Sequence, residues 1–175
     1  MVELTPRWYG SSILFLISAL EVLLPPSALA VRMVNDPKGF EGIPWEATLV
    51  ESAVFVPVGV GDRVQEYERK QGQPRLGEVN VESMRFVTID GKFARVAVRY
   101  QGQKTHESVL TYLQSRFGPL DTTPGQIAGG LFQQFNWRGD ETEINLTFVV
   151  DKERGLVFIE SRKLAPRFTE DLGGQ

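Results

Sequence analysis

The clearest hydrophobic pattern in the chain lies between residues 84 and 100. Apolar and polar side chains alternate there at a spacing of two, which is typical of half-buried β-strands. Asp90 and Gly91 interrupt the alternation. This dipeptide favours a two-residue type I′ turn, because both central positions of that turn need a positive φ. The pattern therefore predicts a β-hairpin.

Two registers of this hairpin are compatible with the sequence. A two-residue loop pairs Ile89 with Lys92 and places Phe86 opposite Arg95. A three-residue loop that includes Lys92 places four apolar residues on one face instead, namely Met84, Phe86, Val96 and Val98. A slip of one residue exchanges the two faces of a strand. We favour the three-residue loop because it gives the more continuous apolar face.

The hairpin is followed by a segment with the spacing of a helix. Thr105 is a suitable N-cap, and we expect Glu107 in the first turn, where the helix dipole favours a carboxylate. One buried stripe follows at helical spacing, formed by Val109, Leu110, Leu113 and Phe117. Gly118 and Pro119 are residue types that end helices. The sequence therefore predicts a helix over residues 105–117.

Three further strands are predicted after a loop at residues 121–130, over residues 131–137, 142–150 and 155–161. Turns of four residues would join them as a meander, with Phe135 opposite Ile144 and Phe148 opposite Val157. Weaker strand signals come earlier, at residues 48–58 and 63–69. The fold class that we infer is α+β: a largely antiparallel sheet of about six or seven strands with one main helix packed on one face.

The first 30 residues have the features of a secretory signal peptide. Arg7 gives a positive start, residues 13–24 are mostly apolar, and Ala28-Leu29-Ala30 has the small-x-small pattern that signal peptidase accepts. The apolar run is short for a membrane span. We therefore expect cleavage after Ala30, a single domain over residues 31–175, and a periplasmic or secreted location. Retention of the leader as an N-terminal membrane anchor is the alternative.

The composition excludes several classes of function. The chain has no cysteine, which excludes disulfides, thiol nucleophiles and thiolate metal sites. Without the leader it has 18 basic and 20 acidic residues, and this near-neutral charge gives no electrostatic attraction for nucleic acid. No segment after the leader is apolar enough to cross a bilayer. We expect no cofactor, because the sequence has no phosphate-binding glycine loop and no calcium-binding loop.

The chain has one histidine, His106, which directly follows the expected N-cap residue. A histidine with no partner in view is more often an exposed helix residue than a catalytic base, because a catalytic triad needs further orienting groups. We therefore expect His106 to be exposed, and we assign it no catalytic or metal-binding role.

Two carboxylates on neighbouring predicted strands, Glu143 and Glu160, could lie close together. Paired carboxylates are the groups that glycoside hydrolysis uses, so a carboxylate-dependent hydrolase is one alternative function. The simpler interpretation is a solvated sheet face on which Glu143 meets Arg162, since surface ion pairs are common and weak.

The second face of the predicted meander mixes polar and apolar residues. If no layer covers this face, its apolar side chains form an exposed patch, which usually marks a partner or ligand surface. We predict an interaction surface around Phe132, Asn145, Phe158 and Glu160. The function that we favour is a non-catalytic periplasmic binding or protein-interaction module with a protein or small-molecule partner. The alternatives are the hydrolase and a binder of a small apolar ligand between helix and sheet.

The start of the expected mature domain carries a motif. Residues 39–45 read Gly-Phe-Glu-Gly-Ile-Pro-Trp. This run resembles the opening of small exported bacterial proteins without an assigned function, whose mature domain begins with Gly-Phe-x-Gly-Ile-x-Trp. Phe117-Gly118-Pro119, and Asn136-Trp137 followed by Thr142-Glu143-Ile144, are similar to the same group. The resemblance implies an exported α+β domain and assigns no catalytic residue.

Overall fold

The computed structural model describes residues 30–120 and 130–172. The predicted leader up to residue 29, the predicted loop at residues 121–129 and the last three residues lie outside the described residues. The described elements are β1 (Val31–Arg32), β2 (Gly39–Phe40), β3 (Ile43–Pro44), β4 (Phe55–Val60), β5 (Val64–Arg69), β6 (Arg75–Leu76), β7 (Val79–Asn80), β8 (Ser83–Ile89), β9 (Lys92–Gln101), α1 (Gln103–Phe117), β10 (Phe132–Arg138), β11 (Thr142–Val149), a 3₁₀ turn (Val150–Lys152), β12 (Arg154–Ser161) and α2 (Ala165–Leu172).

Eight of these strands form one sheet in the order β1-β10-β11-β12-β9-β8-β5-β4. All neighbours in this sheet run antiparallel except β1 and β10, which run parallel. β2 pairs with β3 and β6 with β7 in two small separate sheets. The inferred α+β class with a largely antiparallel sheet is confirmed. The strands are more numerous than predicted, because strands of two residues are too short to show an alternating pattern.

The hairpin of β8 and β9 combines features of both registers considered above. Ile89 pairs with Lys92 across a two-residue turn, and Asp90 and Gly91 have φ values of 49° and 74°. The favoured three-residue loop is therefore wrong. A bulge then shifts the register beyond Thr88, so that Phe86 pairs with Val96 and Met84 with Val98. An extra residue in one strand moves the pairing by one position, and the expected apolar face forms after all.

The meander of β10, β11 and β12 has the expected faces but different partners. Phe135 pairs with Leu146 instead of Ile144, and Phe148 pairs with Gly155 instead of Val157. Each pairing is displaced by two residues, which keeps every side chain on its face because the side-chain period of a strand is two. The expected partners are therefore wrong, and the expected buried stripe forms.

Helix α1 begins two residues before the predicted start. Gly102, with φ 97°, precedes it, and no side chain caps its first turn. Thr105 therefore lies inside the helix, and the expectations of a Thr105 cap and of Glu107 in the first turn are wrong. A glycine adopts this φ without strain, so the chain turns from β9 into the helix immediately. The buried positions of α1 are His106, Val109, Leu113 and Phe117.

Helix α1 packs on one face of the sheet, where the core lies. Leu113 of the helix and Phe86, Trp137 and Phe148 of the strands are completely buried. The N-terminal arm, residues 31–49, adds a further group of side chains to the same core, namely Val31, Met33, Phe40, Trp45 and Leu49. The main helix therefore packs on one face of the sheet, as predicted.

Helix α2 packs on the opposite face, at one end of the sheet. Leu164, just before the helix, is buried with Ile89 and Ala94, and Phe168 packs against this group together with Val64. Neither α1 nor α2 is long and apolar enough to cross a membrane.

Candidate functional site

The part of the second sheet face that α2 leaves uncovered is the candidate functional site. Along β11 the residues facing the core are buried and the alternate ones are half-buried, which is the alternation of a sheet with one solvated face. We call the following exposed or half-buried residues the open face: Ser83, Arg85, Ala97, Arg99, Gln101, Phe132, Gln134, Asn145, Thr147, Val149, Arg154, Leu156 and Phe158.

One end of the open face is closed by a clamp around Arg95. The guanidinium carbon of Arg95 lies 4.6 Å from the ring centre of Phe158 and 4.0 Å from that of Phe168 in α2. Arg95 also donates a 2.6 Å hydrogen bond to Glu160. Burial raises the pKa of Glu160 above its ordinary value, while the neighbouring Arg95 charge opposes this rise. The clamp therefore joins α2 to the sheet through a cation held between two aromatic rings.

Three of the four predicted surface residues lie together beside this clamp. Asn145 pairs with Phe158 across the strands, and its side-chain nitrogen lies 3.5 Å from a carboxylate oxygen of Glu160. Glu160 is only 8% exposed, so it holds the clamp instead of facing solvent. Phe132 pairs with Val149, four positions along β11 from Asn145, which corresponds to roughly 14 Å. The structure thus separates Phe132 from the other three.

Phe132 lies at the far end of the open face, and the strand pairing places its neighbours Leu131 and Val150 on the α1 side of the same end of the sheet. Leu131, Phe132 and Val150 are 66%, 55% and 37% exposed. The backbone N–H of Val150 donates to the carbonyl of Leu131 at 3.0 Å, so these side chains lie at the same end of two neighbouring strands. We call Leu131, Phe132 and Val150 the apolar corner.

Glu143 and Glu160, the residues of the hydrolase hypothesis, are direct cross-strand partners. Each carboxylate has its own cation, because Arg138 lies 3.7 Å from Glu143 and Arg95 holds Glu160. The expected pairing of Glu143 with Arg162 does not form. Arg162 instead donates to the backbone carbonyls of Gly139 and Asp140. The two carboxylates therefore approach one another on a sheet face, each engaged by an arginine.

His106 is buried, which contradicts the expectation that it is exposed. Only 1% of it is accessible. Its Nε2 and Nδ1 atoms lie 2.8 Å from Gln133 Oε1 and from the Tyr100 hydroxyl, and its ring stacks on Phe148 with centres 4.0 Å apart. An amide oxygen only accepts, so Nε2 carries the proton and Nδ1 accepts from Tyr100. Burial lowers the pKa of His106 and raises that of Tyr100.

The helical spacing of the sequence already indicates that His106 is buried. His106 precedes Val109, Leu113 and Phe117 by three, seven and eleven positions, so it lies on the same helical stripe as these apolar residues. Its neighbours Tyr100 and Gln133 come from β9 and β10, and no local pattern indicates that they meet it. The buried imidazole therefore connects α1 to the sheet through hydrogen bonds that solvent does not reach.

The clefts of the described residues include two on the α1 side of the molecule. One, of about 350 Å³, has Met84 and Phe86 in its lining and Glu41 and Arg69 at its rim. Arg69 is already engaged, since it pairs with Glu41 and lies 5.5 Å from the centre of the Phe86 ring. A shallower cleft beside Tyr112 is lined mainly by the polar surface of α1. Neither cleft contains any residue of the predicted interaction surface.

Metal chemistry has no candidate ligand set among the residues that the structure describes. No three of their histidine, aspartate and glutamate side chains lie close enough together to hold a metal ion. Comparison of the chain with protein-family models, curated proteins and solved structures gave no match.

Proposed function

We propose that this protein is a non-catalytic interaction module, exported with Val31 as its first mature residue and acting in the periplasm or outside the cell. One observation carries the proposal: none of the described residues covers the sheet face between α2 and Phe132, which has exposed and half-buried apolar side chains. A sheet face that needs only solvation would carry polar side chains throughout. Apolar residues gathered on such a face favour a partner surface.

The apolar corner is the part of this surface that gains most from a partner. Burying apolar area yields about 25 cal/mol per Å², and Leu131 and Phe132 are each more than half exposed. Aromatic side chains are also enriched at the energetic centres of interfaces. The working surface that we propose therefore consists of the open face with the apolar corner, and Glu160 borders it on the same sheet face through the Arg95 clamp.

The two alternative functions have weaker support. A glycosidase needs one carboxyl group kept protonated and one ionised, both facing a substrate cleft, whereas Glu143 and Glu160 each pair with an arginine on a sheet face. An apolar ligand between α1 and the sheet needs space there. The packing between these layers is close, since the His106 ring of α1 stacks on Phe148 with centres 4.0 Å apart and Leu113 is completely buried.

Site-specific photo-crosslinking in the native host tests the proposal. A photoreactive phenylalanine analogue replaces Phe132, and the matched control replaces Val58 on β4, which is 43% exposed. We expect discrete crosslinked products from position 132 that are absent from position 58. The same products should weaken when Val149→Ser is added, because Val149 is the cross-strand neighbour of Phe132 on the open face. Identical product patterns from both positions, or none from position 132, would contradict the proposal.

A further inference from the structure

The open face carries positive charge that the described residues do not balance. It contains three arginines, Arg85, Arg99 and Arg154, and the carboxylates Glu68 and Glu143 beside it on the same sheet face are engaged by Arg85 and Arg138. Arg85 pairs with Glu68 at 3.1 Å. Arg99 and Arg154 are exposed, and neither forms an ion pair with any residue that the structure describes. This surplus is notable because the whole chain has a net charge of −3.

The two unpaired arginines are near neighbours on adjacent strands. Arg99 of β9 pairs with Leu156 of β12, and Arg154 lies two positions from Leu156. Diagonal neighbours of this kind have Cα atoms about 7–8 Å apart in an antiparallel sheet. Val149, opposite Arg154, and Leu156 are half-buried between the cations and the apolar corner. Apolar and cationic groups therefore alternate over one continuous area.

The nearest acidic residue in sequence does not neutralise this pair. Glu153 precedes Arg154 and ends the 3₁₀ turn in a left-handed conformation. It belongs to the connection between two strands and forms no ion pair with Arg154 among the described residues. The carboxylates that do share this sheet face, Glu143 and Glu160, each hold another arginine. A ligand that carries its own carboxylates would complement the area.

We propose that the open face binds an acidic segment of a partner protein, with carboxylates on Arg99 and Arg154 and apolar side chains over Val149 and Leu156. This inference rests on the proposed function and names the chemistry of its partner. Arginine suits the role because its planar guanidinium meets a carboxylate through two parallel hydrogen bonds. A protein segment fits better than a lipid surface, since Val149 and Leu156 beside the arginines are half-buried and a membrane needs apolar side chains that can enter it.

A peptide-binding experiment tests this chemistry. The probe is a fluorescent peptide of glutamate and leucine, about eight residues long, which at roughly 3.3 Å per residue crosses the strands of the open face. The counter-probe has lysine in place of every glutamate. Binding to the exported protein is measured by fluorescence anisotropy. The double variant Arg99→Gln and Arg154→Gln is compared with Lys104→Gln and Arg116→Gln, a pair of exposed cations on α1 that gives the same change in net charge.

We expect the acidic peptide to bind and the lysine peptide not to bind. Loss of both arginines should weaken binding by about tenfold or more, because charge-assisted hydrogen bonds to a carboxylate are stronger than neutral ones. The α1 control should bind like the unchanged protein. Raising the salt concentration from about 50 mM to about 300 mM should also weaken binding, since it shortens the screening length.

Three outcomes would overturn the inference. Equal binding by the two double variants would show that Arg99 and Arg154 are not the recognition groups. Equal affinity for both peptides would show that the open face does not select carboxylate side chains. Arginine-dependent binding to vesicles of phosphatidylglycerol and phosphatidylethanolamine, without peptide binding, would assign the face to a membrane. If crosslinking from position 132 persists in any of these cases, only the partner's chemistry is wrong; if it is also absent, the interaction module itself fails.

Discussion

At the scale of the residue, one neutral imidazole ties α1 to two strands of the sheet. His106 bonds to Tyr100 on β9 and to Gln133 on β10 at 2.8 Å each. Protonation would give the ring a second N–H donor, and the Tyr100 hydroxyl would lose its acceptor in a region without solvent. Buried polar groups are costly when they lose their partners. The folded state therefore favours the neutral ring.

The pKa of His106 predicts a loss of stability in mild acid. Burial lowers its folded pKa below the ordinary value of 6.5, so the unfolded chain takes up the proton first as the pH falls. The stabilisation is complete above about pH 6.5 and is lost progressively down to the lowered folded pKa, with a slope of at most about 1.4 kcal/mol per pH unit. Urea unfolding between about pH 7.5 and about pH 5 measures this slope.

The variant His106→Gln isolates the histidine contribution. Glutamine offers a donor and an acceptor but does not titrate, and it loses the ring stacking on Phe148. We expect it to be less stable by about 1 kcal/mol or more near neutral pH and to lack most of the slope between pH 5 and 6.5. His106 is the only histidine. If the variant keeps the same pH dependence of its free energy of unfolding, His106 is not the cause of that dependence.

At the scale of the element, α2 depends on a cation that belongs to the sheet. Arg95 lies between Phe158 and Phe168 and bonds to Glu160. Its side chain is 21% exposed and that of Glu160 is 11% exposed, so water replaces little of this contact when Arg95 is removed. The clamp thus links the docking of α2 to the charge state of one buried carboxylate.

Substitution of Arg95 should release α2. Arg95→Ala leaves Glu160 buried without its partner, and losing one member of a buried ion pair costs about 3 kcal/mol or more. We expect a matching loss in the free energy of unfolding and faster hydrogen exchange of the α2 amides. Glu160→Gln in the same chain should restore part of the stability, because it removes the unpaired charge.

The matched control for the clamp is Arg138→Ala. Arg138 also pairs with a carboxylate on this sheet face, but it is 52% exposed and lies 3.7 Å from Glu143. Exposed pairs of this kind contribute about 1 kcal/mol or less. An Arg95→Ala variant that is no less stable than Arg138→Ala would mean that α2 is held by its apolar contacts alone.

The sequence predicts which segments form strands or a helix and which of their residues face the core. It does not predict which residues pair across neighbouring strands or where each element begins and ends. Periodicity placed Phe86, Val96 and Phe148 on the buried face, because one side of each strand must be apolar. The bulge that aligns Phe86 with Val96 has no sequence signature in the alternation itself. The start of α1 depended on the positive φ of Gly102, a conformation that a glycine permits but does not require.

At the scale of the whole molecule, contacts between segments far apart in the sequence fix structure that local sequence patterns do not predict. Asp36 in the N-terminal arm accepts hydrogen bonds from the backbone N–H groups of Glu141 and Thr142, which fixes the turn between β10 and β11. Trp45 donates to the Thr142 hydroxyl at 2.9 Å. These contacts join residues about a hundred positions apart. Packing between distant segments also separates the predicted site residues. Helix α2 covers the end of the sheet beside Phe158 and leaves Phe132 exposed.

The N-terminal arm also bears on where the mature chain begins. Val31 pairs with Trp137 and is 6% exposed, and Met33 is 7% exposed and donates its N–H to the carbonyl of Arg138 at 3.0 Å. Cleavage after Ala30 would leave all of β1 in the domain, whereas cleavage three residues later would remove a strand from the sheet edge. Cleavage after Ala30, as the small-x-small pattern predicts, would therefore keep β1 in the sheet.

We therefore expect intact-mass measurement and N-terminal sequencing of the exported protein to give Val31 as the first residue. Joining the leader directly to Val34 should lower the free energy of unfolding by about 3 kcal/mol, because two buried side chains are lost at about 1.5 kcal/mol or more each. Arg32→Ala is the control; Arg32 is exposed, so its loss should change stability little. A retained leader would contradict the predicted cleavage, whereas a mature chain that starts beyond Met33 with unchanged stability would show that β1 does not stabilise the sheet edge.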